Sequence, residues 1–347
     1  MDFTPTEEQA AAQELAARIF GDLATHERLA AAGTGTDAEL WKALCGAGLP
    51  AAVEEIGLLG LVLLAEEQGR TTAQVPFAVS SVFGLLAVAR HGTAEQRERL
   101  LPGFRDGTAV ATGAFPPTGH LRAGADGLLT GVVEWVPWLR DATHVLVPVG
   151  GDQEAALRLV PVAEASVVPV ELTAPWAAGR LVLDGARGER IGETGSGAGA
   201  DVLAMARIVC AGLQAGVCAG SLARAVAYTS VREQFGRSLS THQAVQLRAA
   251  DAHMDTEAIR VTAYEAAWRH DQGLPAAEHA LTAAWWASEA GKRVVHAGQH
   301  LHGGMGADLE HPVHRHFLWG RQLDAYLGSG TELLAELGDL LANGEPA

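Results

Sequence analysis

Thr143-His144-Val145-Leu146-Val147-Pro148-Val149, then Gly150-Gly151-Asp152, then Leu157-Arg158-Leu159-Val160: this stretch decides how the fold is read. Two short runs rich in Val and Leu flank a Gly-Asp turn, the composition of paired strands rather than of a helix. Leu128-Leu129-Thr130-Gly131-Val132-Val133, entered through Asp126-Gly127, adds a third run. Residues from about Thr108 to Gly195 thus read as β-rich, and their spacing and turn chemistry suggest a small antiparallel barrel or sandwich.

On both sides the texture turns helical. Thr4-Pro5-Thr6-Glu7 offers an N-cap hydroxyl, a Pro at the first helical position and an acid three residues on, which predicts a helix over Glu8 to Leu23. Further helices are predicted from about Asp37, over Ile56 to Gln68, and over about Pro76 to Arg90. In Gly92-Thr93-Ala94-Glu95-Gln96-Arg97-Glu98-Arg99-Leu100-Leu101-Pro102, Thr93 reads as an N-cap and Pro102 as a stop. Beyond the β unit, Val202 to Arg232 is nearly all apolar and predicts a buried helix, followed by helices over Thr241 to His270, Pro275 to His300 and about Thr331 to Ala342. The fold class predicted is mostly α with a central β domain: an N-terminal α-helical domain over 1–108, a middle β domain over 109–198 and a C-terminal helical bundle over 199–347.

Twenty-five Lys+Arg against 41 Asp+Glu give a formal net charge of −16, which argues against nucleic acid or an anionic membrane as partner. With 48% hydrophobic and 19% charged residues, the chain has the material for packed cores. Cys45, Cys210 and Cys218 are too few and too scattered for a disulfide framework, pointing to a reducing cytoplasm. Cys210 and Cys218, eight apart on one apolar helix, read as packing residues. The start Met1-Asp2-Phe3-Thr4 has no signal-peptide pattern, and the apolar runs Ile56 to Ala65 and Ile208 to Leu222 fall short of a membrane span, so a soluble protein is expected.

Several motifs in this order resemble the acyl-CoA dehydrogenase family. Gly92-Thr93-Ala94-Glu95-Gln96 with Leu101-Pro102 and Gly107 is similar to the family's segment closing the first domain. Arg232-Glu233-Gln234-Phe235-Gly236 followed by Gln243 resembles its R-x-x-F-G…Q signature. His300-Leu301-His302-Gly303-Gly304-Met305-Gly306 resembles its Q-x-x-G-G-x-G turn, with Pro312 and Arg315 downstream. The resemblance implies FAD as cofactor, with Arg232, Phe235, Gln243, His300, Gly303, Gly304 and Ser329 on its binding side and Arg232 holding its pyrophosphate across a subunit interface. Arg232 also reads as a solvated helix-end cation, and the Gly turn also as a helix C-cap. Trp135, in Gly131-Val132-Val133-Glu134-Trp135-Val136, resembles the family's strand aromatic against the flavin ring, though a Trp in a β unit also reads as core. Val133 and Pro137 stand where the family has Lys and Thr, and Ala114-Phe115-Pro116 where it has Thr-Glu-Pro.

The family reaction takes an α-proton from an acyl-CoA thioester with a carboxylate while a hydride passes to the flavin. Counted without gaps from the Gly turn, the family's Tyr-Glu-Gly-Thr falls on Tyr326-Leu327-Gly328-Ser329, so Leu327 replaces the glutamate. The family's alternative base precedes an arginine that resembles Arg207, and that residue is Ala206. Arg207, Tyr326, Leu327 and Gly328 are therefore expected on the substrate side of a pocket with no catalytic residue of its own. Asp324 and Glu332 are the nearest acids along the chain. This combination is similar to the small subunits of actinobacterial heterotetrameric acyl-CoA dehydrogenases of sterol side-chain catabolism. It implies a second subunit that carries the base, an acyl-CoA substrate and an electron acceptor.

His300, His302, His311, His314 and His316 with Asp308 and Glu310 invite a metal, yet their spacing matches no closed site, and no metal is expected. Trp285-Trp286 reads as core or interface. Three functions stay open: a subunit completing a flavin site in a hetero-oligomer, a self-sufficient dehydrogenase with a displaced base, and a flavin-free structural or acyl-CoA-binding subunit.

Overall fold

The computed structural model describes residues 2–115, 121–150, 156–193 and 195–343, so Pro116 and the Gly151-Asp152 part of the expected turn lie outside the described residues. In chain order the helices before the β unit are α1 (Glu7–Leu23), α2 (His26–Ala32), α3 (Ala38–Gly46), α4 (Leu49–Thr71), α5 (Phe77–Ser80), α6 (Ala87–His91) and α7 (Ala94–Asp106). A π-helical stretch, Ser81–Leu86, joins α5 to α6. The strands follow as β1 (Ala111–Gly113), β2 (Arg122–Ala123), β3 (Leu129–Val136), β4 (His144–Val149), β5 (Ala156–Pro161), β6 (Ser166–Pro169), β7 (Gly179–Ala186) and β8 (Glu189–Ile191). Last come α8 (Ala198–Val231), a hairpin of β9 (Glu233–Gln234) and β10 (Arg237–Ser238), and α9 (Gln243–Asp271), α10 (Ala277–Leu301), α11 (Val313–Leu323) and α12 (Gly330–Asn343).

The chain divides into two compact units. One comprises Glu27–Gly57 and Gln74–Ala206. Its strands form two four-stranded sheets, β1-β4-β5-β8 and β2-β3-β7-β6. Inward-facing residues of both sheets, among them Val133, Val145, Val147, Val160, Leu181 and Leu183, make one apolar core, as alternation along each strand requires. The expected β unit is present, with two additions. β7, entered at Gly179, completes the second sheet, and β1 pairs with β4 in parallel while most other pairings are antiparallel. Asp37 caps α3 by accepting from the Glu39 and Leu40 amides, and Thr93 caps α7 in a capping box with Gln96.

Two local expectations are corrected. The first helix is capped by Thr6 rather than Thr4, because Gln9, not an acid, returns the bond to the cap's own amide. Pro102 does not stop α7, which continues to Asp106 and ends at Gly107 in a left-handed turn (φ 77°). The buried side chains of Leu101 and Phe104 hold the turn around Pro102 in place, offsetting the one hydrogen bond the ring removes.

The other unit comprises Met1–His26, Leu58–Ala73 and Arg207–Ala347, and is built of helices. Here α8 lies against α4 through Gly212, Gly216 and Gly220, each four residues from the next, opposite Val62, Glu66 and Arg70. A Cβ at Gly216 would sit on the Glu66 carbonyl, and one at Gly220 on the Arg70 carbonyl, so the two backbones touch where a side chain would separate them. Glu66, 2% exposed, accepts from Arg260 Nη2 at 2.7 Å and from the Tyr264 hydroxyl at 2.8 Å, tying α4 to α9. By length and composition α8 passes as a membrane span, which corrects the expectation that no stretch is long enough. In its most apolar window 78% is buried inside the protein, as in a core helix.

Candidate functional site

Two groups of the expected residues come together in the helical unit. In the first, Arg207, 6% exposed on α8, donates to both Glu336 oxygens at 2.7 Å, and its Nε points to the Leu327 carbonyl at 3.4 Å. Tyr326 and Leu327 are buried, and Gly328 takes φ 119°, open to glycine alone, with the Leu333 side chain 3.0 Å from where a Cβ would stand. Ala206 is buried one residue before Arg207. The acids around this loop are committed elsewhere. Glu332 accepts from the Ser329 amide and hydroxyl, both at 2.8 Å, and these bonds hold its carboxyl below the ordinary range. Asp324 pairs with Arg321 at 2.9 Å, although burial raises its carboxyl. The side chain at position 327 can take no proton. Glu336, which the sequence reading missed, is linked to the loop through Arg207, and its place nine residues on gives no sequence signal.

The second group lies where α8 ends. Arg232 follows its last turn, and the β9–β10 hairpin turns through Phe235 (φ 57°) and Gly236 (φ 77°). Phe235 is 89% exposed, although positive φ is costly for any residue with a Cβ. The Arg232 side chain is exposed and has no ion-pair or hydrogen-bond partner among the described residues. Gln243 is exposed at the start of α9, and the ring edge of His242 meets Phe235 at 5.9 Å. Tyr228, one turn before Arg232, stacks on His302 at 4.9 Å, and His302 meets His311 at 4.9 Å. Those contacts bring the glycine turn to the same end of the bundle. Gly303 takes φ 62°, Gly304 has open space around it, and the Gln299 amide closes the turn on the Gly306 carbonyl at 3.0 Å. His300 is exposed beside them. Tyr228 was not anticipated, and His311 was considered only as a metal ligand, since an aromatic stack between helix ends has no sequence pattern. A spare guanidinium and exposed glycine backbone at the same end of the bundle fit the anionic part of a dinucleotide.

In the β unit, Trp135 is half-buried where β3 gains one residue over β7 between Val133 and Val136, a bulge of the kind that redirects side chains. Of the five histidines near the Gly turn, His316 is buried, with Nε2 3.0 Å from the Arg70 carbonyl. Among the described residues, no group of three His, Cys, Asp or Glu side chains is placed to hold a metal ion. Burial pushes the Cys210 thiol up to about 12, far from a reactive thiolate. Trp285 packs with Leu281, Ala284, Leu333 and Leu337.

Helices before and after a two-sheet β unit along the chain make up the acyl-CoA dehydrogenase fold. Residues 6–108 match the family model for the acyl-CoA dehydrogenase N-terminal domain, and 194–337 that for the C-terminal domain. The chain is 34% identical over 375 residues to acyl-CoA dehydrogenase FadE27 of Mycobacterium tuberculosis, covering 99% of each. Among solved structures it is 41% identical to a chain of the Tcur3481-Tcur3483 steroid ACAD, with a TM-score of 0.90 over 97% of this chain and 98% of that one. To a chain of the ChsE4-ChsE5 complex from M. tuberculosis it is 31% identical, with a TM-score of 0.91 over the whole of both. The chain belongs to the acyl-CoA dehydrogenase family, whose cofactor is FAD, and is related to the actinobacterial steroid members.

Proposed function

We propose that this chain is the base-lacking subunit of a hetero-oligomeric acyl-CoA dehydrogenase that desaturates a steroid-type acyl-CoA thioester. It completes a flavin site shared with a second subunit. The observation that carries the reading is the Arg232-to-Gly236 hairpin, where a phenylalanine 89% exposed in a left-handed conformation stands next to an unpaired guanidinium. A lone chain gains nothing from either, whereas a neighbour's dinucleotide and apolar surface satisfy both. Leu247, Met254 and Val261, seven apart on α9 and each more than half exposed, extend the surface open to that neighbour.

Here Arg232 would hold the diphosphate, with the amides of Gly303 and Gly304 close by and Phe235, Gln243, His300 and Ser329 on the cofactor side; Trp135 would face the ring. FAD, when bound, supplies the acceptor for a hydride from the substrate β-carbon. The Leu327 amide is available to a thioester oxygen, and Arg207, fixed by Glu336, steadies the loop that carries it. With Leu at 327 and Ala at 206, the α-proton must pass to a carboxylate of the partner. A self-sufficient dehydrogenase using Asp324 finds support in that raised carboxyl, and the ion pair with Arg321 counts against it.

Expressing the chain alone and together with a Glu-bearing acyl-CoA dehydrogenase subunit tests the proposal. We expect a colourless, inactive protein alone and a yellow, active complex together. Turnover by the single chain would refute it.

A further inference from the structure

A chain of net charge −16 collects guanidiniums at one end of its β unit. A cavity of about 350 Å³ opens there between α7, β4, β5 and the start of β8, with Arg99, Arg187, His144 and Glu189 in its wall and Leu100, Leu159 and Pro161 as apolar surface. Glu189 is already spoken for, accepting from Arg99 Nη2 at 2.6 and 2.7 Å and from Gln96 at 3.0 Å. Arg187 has no hydrogen-bond or ion-pair partner among the described residues. On the adjoining register Arg158 lies directly opposite Arg190, like charges face to face, and Arg158 Nε is buried without a partner. In the cavity wall Arg99 is thus neutralised by Glu189, and Arg187 is a guanidinium with no carboxylate partner among the described residues, a charge open to an anionic ligand. His144 adds no charge near neutrality. Its Nδ1 lies 2.8 Å from Thr143 Oγ1, and burial followed by Arg99 lowers its pKa.

We propose that this cavity binds a small organic carboxylate, its head on Arg187 and its apolar body against Leu100, Leu159 and Pro161. A planar guanidinium matches a carboxylate two bonds at a time, and the volume falls in the range of small-molecule sites. Neither the proposed flavin side nor the Leu327 loop shares a residue with this cavity.

Calorimetric titration of the full chain, in the assembly in which it purifies, compares hexanoate, hexanol and inorganic phosphate. Hexanoate should saturate one site per chain, with hexanol and phosphate each at least about tenfold weaker, as expected when charge-assisted bonds and apolar contact both contribute. Arg187→Gln should weaken hexanoate by about tenfold or more at an unchanged melting temperature, while Arg187→Lys, which keeps the charge and loses the two-bond fork, should fall between Gln and the wild type. Equal binding of hexanol and hexanoate, phosphate binding as tight as hexanoate, or an Arg187→Gln titration identical to the wild type would each overturn the assignment. Flavin retention by the complex is unaffected in either case.

Discussion

At position 327 a buried leucine occupies the place where the family's resemblance puts a carboxylate, and the acids around it are held by other partners, Glu336 on Arg207 by two bonds of 2.7 Å and Glu332 on Ser329. Adjacent chemistry thus depends on single side chains. Replacing Arg232 by Ala should remove charge-assisted bonds to a diphosphate worth about 1.5 to 3 kcal/mol, so FAD retained by the complex should weaken about tenfold to a hundredfold on gel filtration. Unaltered flavin content would show that Arg232 is only a solvated cation. A second residue-scale effect concerns acid. Burial in a site closed to water pushes the His316 imidazole from 6.5 down to about 4, outweighing the bond its Nε2–H donates to the Arg70 carbonyl, which favours the protonated form. Above pH about 6.5 neither state is protonated and the residue contributes no pH dependence. As pH falls from there to about 4, the unfolded chain takes a proton the folded one refuses, so stability drops by on the order of 3 kcal/mol. Urea unfolding across that window should show a shallower slope for His316→Gln than for the wild type; parallel slopes would contradict the burial.

Helices make up most of the molecule, and their contacts depend on what is absent as much as on what is present. Where α8 crosses α4, Gly216 gives its Cβ space to the Glu66 carbonyl. Gly216→Ala should therefore cost about 1 to 3 kcal/mol by overpacking, measured as a fall in the midpoint of denaturant unfolding. Gly338→Ala on α12, with nothing within 4 Å of a new Cβ, should be neutral or stabilise by about 1 kcal/mol. If both variants behaved alike, the close helix crossing would be wrong. At this scale the sequence was readable where signals are local. Thr93 caps the helix it was expected to cap, and a helix begins at Asp37 as expected, because a cap bond spans only two or three residues. Pro102 misled, because whether a helix survives a proline depends on what its neighbours bury, here Phe104, whose ring meets His144 on β4 and lies against Gly84.

For the whole molecule, the stripe Leu247, Met254 and Val261 and the tip at Phe235 stand exposed, and they are the surface through which the proposed assembly would form. Met254→Asp should weaken that assembly about tenfold or more, since a carboxylate would be buried at the interface. Light scattering of the co-expressed complex would read the loss of mass, while an intact complex would place the interface elsewhere. The sequence by itself determined the α, β, α order, the buried helix α8 and the motifs at Arg232 and Gly303-Gly304, because hydrophobic period, turn residues and caps act between near neighbours in the chain. Only the tertiary structure decided that Glu336 holds Arg207, that Tyr228 stacks on His302, that glycines let α8 meet α4, and that Arg99 and Arg187 share a cavity. Each of those joins residues remote in sequence, and such distances are fixed by packing, which no local pattern encodes.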